Sequence, residues 1–396
     1  MKKIIFAISF AVLFTGVAVK ASAQNDMADV LDGIERNNTT LGALREQVEA
    51  DKLENKSGIF LEDPEVEFNY LWGSPSGIGK RNDISVSQSF DIPAITGMRR
   101  RLADGQNNLV DLQYKADRMA ILLEAKKCII ELVYYNALKK ELELRVEHAH
   151  TVAGGYKSRL DSGDINILEY NKAQLNLSSA QGELSRVEIE RTALLEELKR
   201  FNGGNQLVLN DIRYPEVFTA VDFDLWFGEA ARKNPVLQYA RKETEVSQKQ
   251  VSLAKAEGLP SFSAGYMREK TLGQSYQGVA VGISIPLWQN KNKLKQADAA
   301  SKAAEARQND SRQQFYSQLR NQYERAEGFR KTAEAYRHAL SESNNAALLK
   351  KALDAGQISL LDYMVEIGLY YEIVVKALEA ERDYQLAAAE LSAMEL

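Results

Sequence analysis

Few side chains in this sequence have the type and spacing to do chemistry. Its 396 residues include three histidines and one cysteine. His148 and His150 are two apart, which on a helix turns them to different sides, and His338 stands alone. A helix-borne metal site needs converging ligands, usually at i and i+4, so no metal is expected. Cys128 falls in a helical pattern and reads as a small buried apolar residue. No Cys-x-x-Cys pair, phosphate loop or Ser-His-Asp set stands out, so no cofactor is implied and an enzyme is not expected. Three of the chain's 55 Asp and Glu residues lie just past the predicted helical turns: Glu169, Asp362 and Glu366, the last one helical turn beyond Asp362. Singly, such acids belong to a solvated helix face or pair with a nearby Lys or Arg. Repeated around an axis by several copies of the chain, they would form rings that attract cations and can hold a gate by hydrogen bonds.

Glu169 and Asp362 occupy matching places because the sequence reads itself twice. Arg36/Arg232, Asn38/Asn234, Leu41/Leu237, Arg45/Arg241, Pro64/Pro260 and Tyr70/Tyr266 share an offset of 196. Pro93/Pro286, Leu160/Leu353, Asp161/Asp354, Gly163/Gly356, Ile165/Ile358, Leu168/Leu361 and Tyr170/Tyr363 share an offset of 193. The three-residue slip falls between Tyr70 and Pro93 and predicts a loop there. A period this long implies a duplicated half-domain rather than a solenoid of short units.

Residues 1–23 read as a secretory signal: Lys2 and Lys3, an apolar run Ile4 to Val19, then Ala21-Ser22-Ala23 before Gln24. Its removal takes three lysines and no acids, so the net charge falls from −5 to −8. An acidic chain argues against nucleic acid as a partner. No later stretch is apolar for a spanning helix's length, so any membrane crossing must be by strands.

Each half reads helix, strand, strand, long helix, turn, helix. The first repeat covers 24–205, an irregular segment 206–222 follows, and the second repeat covers 223–396. The first helix is expected from about Asp26 to Phe60. A long helix follows from Gly97 to about Ala153, broken at Gly154-Gly155, with a hairpin tip at about 154–165. A third runs from Asn166 to Phe201. The second half predicts helices over 223–257 and 292–353, a tip at about 353–358, and a helix to the end. Lengths of this order imply coiled coil or a helical tube. At the tips, Gly163 and Gly356 supply the positive φ a reversal needs. Such tips would be the far end of a tube, where Arg159, Leu160, Gly163, Leu353 and Gly356 are the candidate contact residues for a partner.

The strands set the class. Alternation predicts four, at about 65–72, 83–92, 261–269 and 277–286. Val66, Phe68, Tyr70 and Trp72 share a face, as do Ile84, Val86, Phe90 and Ile92; Phe262, Ala264 and Tyr266; and Val279, Val281, Ile283 and Ile285. The opposite positions are small or polar. This is the lipid-out, lumen-in pattern of a membrane barrel. Of these residues, Val66, Phe68, Tyr70, Trp72, Val86, Phe90, Phe262, Tyr266, Val279, Val281 and Ile283 are the candidate lipid-facing set. Four strands cannot close a barrel, and an open edge in lipid leaves backbone groups unpaired. The strands therefore either pack as a soluble sheet or close a barrel by oligomerisation, with outer-membrane lipid as a partner.

Together these features resemble the TolC-like outer-membrane efflux family. Ala231-Arg232-Lys233-Asn234-Pro235-Val236-Leu237 is similar to the family's opening of the second repeat. Leu259-Pro260-Ser261-Phe262 is similar to the start of a barrel strand, and Ile285-Pro286-Leu287-Trp288 to the exit into the long helix. The first repeat departs, with Asn38-Thr39 where the family often has Asn-Pro. The tips depart too, with Ala352 matching Arg159, and Val365 stands where a second acid would be expected. The resemblance implies a mainly α chain with a small β part. It implies a homotrimer whose twelve-stranded transmembrane β-barrel continues into a periplasmic α-helical barrel. It further implies a periplasmic adaptor (membrane fusion) protein and an inner-membrane pump as partners, a passive conduit gated by helix movement at the periplasmic tip, and acids near Glu169 and Asp362 narrowing that entrance. The alternative is a soluble periplasmic coiled-coil scaffold or chaperone, which would need the helices but no lipid-facing strands.

Overall fold

The structure is a computed structural model that describes residues 27–207, 209, 213–215, 222–271, 273–288, 290–342 and 346–396. The signal at 1–23 and much of the 206–222 segment lie outside the described residues.

The first repeat opens with α1 (Met27–Asn37) and α2 (Thr39–Lys56). One continuous helix was expected here; the chain turns at Asn38 instead. The Asn38 side chain accepts the Leu41 backbone N–H at 2.9 Å and donates to the Phe201 carbonyl at 2.8 Å. The second repeat does the same at Asn234, between α5 (Phe223–Lys233) and α6 (Pro235–Ala256). The Asn234 side chain accepts from Val236 and Leu237. Asparagine is a favoured N-cap, and the residue after it, Thr39 or Pro235, sits where proline is tolerated but not required. The Asn38-Thr39 departure therefore leaves the backbone unchanged.

After α2 come β1 (Glu65–Trp72) and β2 (Lys80–Phe90), and after α6 come β3 (Ser261–Thr271) and β4 (Gln274–Ser284). They form one antiparallel sheet in the order β1-β2-β3-β4. The three-residue slip of the repeat is taken up here: β1 and β2 are joined through 73–79, β3 and β4 through 272–273. β2 and β4 each begin three residues earlier than alternation predicts.

The helical part is a wall of long, antiparallel helices. α3 (Pro93–Asp161) is 69 residues, about 100 Å at 1.5 Å per residue. It returns through α4 (Ile167–Phe201). In the second repeat α7 (Lys293–Glu342) and α8 (Ala346–Asp354) return through α9 (Leu360–Leu391). Heptad spacing fixes the seams. Ala173, Leu177, Ala180 and Val187 are buried on α4, and Leu319, Ala326 and Ala333 on α7, the narrow stripe of a coiled coil. α3 packs on α4, α9, α6 and α2, and α7 on α9 and α6.

The predicted break at Gly154-Gly155 is absent: α3 runs straight through both glycines. Glycine disfavours a helix by about 1 kcal/mol per residue. Its neighbours Val152, Ala153 and Tyr156 are buried against α4 and α9 in one cluster, and that burial outweighs the propensity. The tip is consequently tighter than 154–165 and starts at Ser162.

Two clusters lie at mid-height. One gathers Ile34 of α1, Ile129, Ile130 and Leu132 of α3, and Leu198 and Phe201 of α4. Its counterpart gathers Phe223 and Phe227 of α5, Leu319 and Ala326 of α7, and Tyr384 and Leu391 of α9. Among the described residues no helix is long and apolar enough to cross a membrane.

Candidate functional site

Two regions carry the candidates: the sheet and the helical tips. In the sheet, register confirms which residues share a face. Val66, Val86, Tyr266 and Val279 form one row across all four strands, and Phe90, Phe262 and Ile283 another. Rows of the opposite face read Glu65-Ser87-Gly265-Ala280 and Ser89-Ser263-Gly282. The large apolar side chains are bare: Trp72 is 78% exposed, Val279 84% and Val281 82%. On the other face, one glycine is needed sterically. A Cβ on Gly265 would lie 2.6 Å from the Val86 backbone carbonyl oxygen, while one on Gly282 would only push aside the Ser263 hydroxyl.

The apolar band crosses the sheet on a diagonal. Asn69 marks the middle of β1's apolar run and lies in register with Asp83, Glu269 and Tyr276. β4's run from Val279 to Ile285 centres on Gly282, six positions further along. That is ~20 Å of displacement over three inter-strand spacings of ~4.8 Å each. A level hydrocarbon slab demands such a diagonal only if the strands are steeply tilted, as in membrane barrels. β1 and β4 each pair on one side only.

At the tips the two repeats build one backbone device. Gly163 has φ +80° and Gly356 φ +66°. The Gly163 N–H donates to Leu160 O and Asp164 N–H to Arg159 O. Likewise Gly356 N–H donates to Leu353 O and Gln357 N–H to Ala352 O. These are paired 5→2 and 6→1 bonds of a Schellman motif. An ion pair precedes each turn: Lys157–Asp161 at 2.7 Å and Lys350–Asp354 at 2.9 Å. Both hairpins pack into a shared core that includes Tyr156, Leu177, Leu360 and Tyr363.

The predicted contact residues divide. Arg159 is exposed, its guanidinium 5.4 Å from the Tyr156 ring. Gly163 and Gly356 are exposed, and a Cβ on either would meet nothing within 4 Å. Leu160 is half-buried. Leu353 is buried in the shared core, so it holds the tip together rather than presenting itself. Sequence reasoning passed over Ile167, Leu168, Leu361 and Val365, all more than half exposed just beyond the turns. The signal was available, since Leu168 and Leu361 are a repeat pair.

The acids divide as well. Asp362 is the fourth residue of a capping box: the Ser359 hydroxyl accepts the Asp362 N–H at 3.1 Å, and the Asp362 carboxylate accepts the Ser359 hydroxyl at 2.6 Å and its N–H at 3.2 Å. Those bonds, the hydroxyl's first and the backbone's second, hold its carboxyl below the usual range. Glu169 stands at the matching position of α4, where Asn166 accepts its N–H at 3.1 Å; its carboxylate is not tied into that cap. Glu366 is exposed one turn beyond Asp362.

Among the described residues no group of three or more His, Cys, Asp or Glu is placed to hold a metal ion. His148 Nδ1 lies 3.0 Å from the Tyr371 hydroxyl, and His338 faces Glu342. Burial pushes the Cys128 thiol up to about 12, which keeps it unreactive.

The match to known proteins follows this geometry. Residues 226–394 match the family described as outer membrane efflux protein. Outer membrane protein TolC of Vibrio cholerae is 22% identical over 313 residues, covering 73% of this chain and 70% of that protein. In sequence and in fold the chain is similar to TolC-like outer-membrane efflux proteins. The TolC-like fold spans nearly the whole chain. A membrane protein from Pseudomonas aeruginosa superimposes with a TM-score of 0.78 at 15% identity, over 94% of this chain and 92% of that one. The Campylobacter jejuni CmeC outer membrane channel does so with 0.72 at 15%, over 93% and 85%. Structural maintenance of chromosomes protein 1 of Arabidopsis thaliana is 30% identical over 166 residues; the chain spans 13% of that protein's length. The TolC-like chain thus lies in the outer membrane by its sheet, with its helices in the periplasm, and the coarse function is that of an efflux channel.

Proposed function

We propose that three copies close a twelve-stranded barrel over a periplasmic helical tube, and that the assembly is the passive outer channel of a tripartite efflux or export system. The observation that carries this reading is the sheet. It has one bare apolar face, one small polar face and two unpaired edges, and lipid cannot satisfy an open edge. Known single-chain barrels begin at about eight strands, so closure falls to neighbouring copies. Val66, Phe68, Tyr70, Trp72, Val86, Phe90, Phe262, Tyr266, Val279, Val281 and Ile283 then face lipid, and the polar face lines the pore.

At the far end, the tips are the docking surface for a periplasmic adaptor, with an inner-membrane pump supplying energy. Arg159, Gly163, Gly356 and the bare apolar residues Leu168 and Leu361 support this, because exposed leucines at a tube's end call for a cover. Glu169 and Glu366 form the gating rings. Asp362 adds charge, but its main work is to cap α9. The test is single-channel conductance. Glu169→Gln with Glu366→Gln leaves the cap intact and should raise leak current and weaken cation preference. An unchanged current and selectivity would remove the rings from the mechanism.

A further inference from the structure

The outward face of the sheet is not apolar along its whole height. Three cations hold outward positions in the rows nearest the hairpin turns. Arg268 is in register with Ile84, Lys270 with Asn82, and Lys80 with Trp72. All three are exposed. No Asp or Glu takes an outward position on any of the four strands. The strand acids Glu65, Glu67, Asp83 and Glu269 are all on the opposite face. There Arg81 pairs with Asp83 at 2.9 Å and Glu269 at 3.2 Å.

The pleat therefore sorts charge by sign: acids predominate inside, and the outer face is positive and uncompensated. The partners of the outer cations are neutral. Arg268 Nε donates to Ser275 Oγ at 3.2 Å, and Lys80 Nζ sits 5.8 Å from the Tyr70 ring centroid. The sorting is also vertical. At the helix end of the same face the strand residues are Gln88, Phe90, Phe262, Ala264, Val281 and Ile283, with no charge among them. Since the helices are periplasmic, the cations stand at the level of the outer leaflet's headgroups.

We propose that Lys80, Arg268 and Lys270 form a binding site for the phosphates of a phosphorylated glycolipid in the outer leaflet. The inference rests on the reading that this face meets lipid. Arginine offers a planar fork to two phosphate oxygens, and lysine a compact charge. Alternate residues on a strand are ~7 Å apart and neighbouring strands ~5 Å, so the three cations fall within the span of one bisphosphorylated headgroup. Its acyl chains continue down the face over Ile84, Val86 and Tyr266, and the missing acids leave nothing to repel the phosphates.

The experiment uses the full chain extracted in detergent and bis-phosphorylated lipid A as the probe, with its phosphate-free analogue beside it. Wild type should bind the phosphorylated lipid at least about tenfold more tightly than the analogue, and Lys80→Gln/Arg268→Gln/Lys270→Gln should erase that difference. Lys270→Gln alone should lose part of it, which covers the event that the triple variant assembles poorly. The pore-side Arg81→Gln should keep it. Equal binding of the two lipids by wild type, or full affinity in the Lys270 and triple variants, would overturn the proposal. A nitroxide at Val281→Cys in a Cys128→Ser background tests the underlying face separately. High oxygen accessibility in a bilayer places the face in lipid, so that failed binding then counts against the headgroup site alone. A label in water would take both down.

Discussion

The two tips share a backbone and differ in what their side chains do. Each ends its long helix with a glycine at positive φ, the same pair of Schellman bonds and the same Lys–Asp pair one turn earlier. The side chains then part. Where the first tip has exposed Arg159 and half-buried Leu160, the second has half-buried Ala352 and buried Leu353. Where α4 leaves the Glu169 carboxylate out of its cap, α9 binds Asp362 into one. Duplication preserved what the turn requires of the chain and released what the surface presents. The first tip is the more exposed and more charged of the two, and the second is the better anchored.

The sharpest way to test that symmetry lies at the paired asparagines, where the backbone device is the same but its surroundings are not. Asn38→Ala removes a cap and also strips the donor from the Phe201 carbonyl, a loss of about 3 kcal/mol. Asn234→Ala removes only a cap, about 1–2 kcal/mol. Amide exchange in the first turns of α2 and α6 should rank them in that order, and equal effects would mean that the Phe201 bond contributes nothing. At the tips, Gly163→Val and Gly356→Val should cost alike, about 2 kcal/mol each. Space is open at both positions, so positive φ alone sets the penalty. A much larger loss at one tip, read by local exchange protection, would break the backbone equivalence.

A pH titration separates the acids. The Asp362 carboxyl is depressed by its bonds to Ser359, so its contribution is complete above the ordinary carboxylate pKa of about 3.9 and is lost as pH falls through its lower folded value. Protection factors at the start of α9, corrected for the intrinsic exchange rate at each pH, should fall below about pH 4, and Ser359→Ala should remove that step. Glu169→Gln should leave α4's cap unmoved. The smallest effect belongs to the matched ion pairs. Lys157→Ala and Lys350→Ala should each leave helix stability nearly unchanged, equally in the two tips.

Much of this was legible because duplication displays each device twice. The Gly163/Gly356 pair marked a helix end from spacing alone, whereas Asn38/Asn234 was visible only as a repeat pair and its helix start went unread. What escaped was whatever packing or backbone pairing decides. The Gly154-Gly155 break failed because Tyr156 and its neighbours are buried beyond it, and no local propensity reports that. Leu353 could not be placed inside rather than outside without knowing that both tips share one core. Ser359-x-x-Asp362 was a readable capping box, but the acid was read for its charge instead. β2 starts at Lys80 and β4 at Gln274 because ladder bonds carry the strands past the last apolar residue. Lys80, which β2's early start puts on the outward face, was hidden by the same extension.

The central claim is that four strands per chain become a membrane barrel only through partner copies. Native mass spectrometry of the detergent-extracted outer-membrane fraction tests it most directly. The account predicts a species of three mature chain masses that needs detergent to stay intact. A monomer that remains in solution without detergent would contradict it, since the sheet would then be packing its apolar face within a single chain.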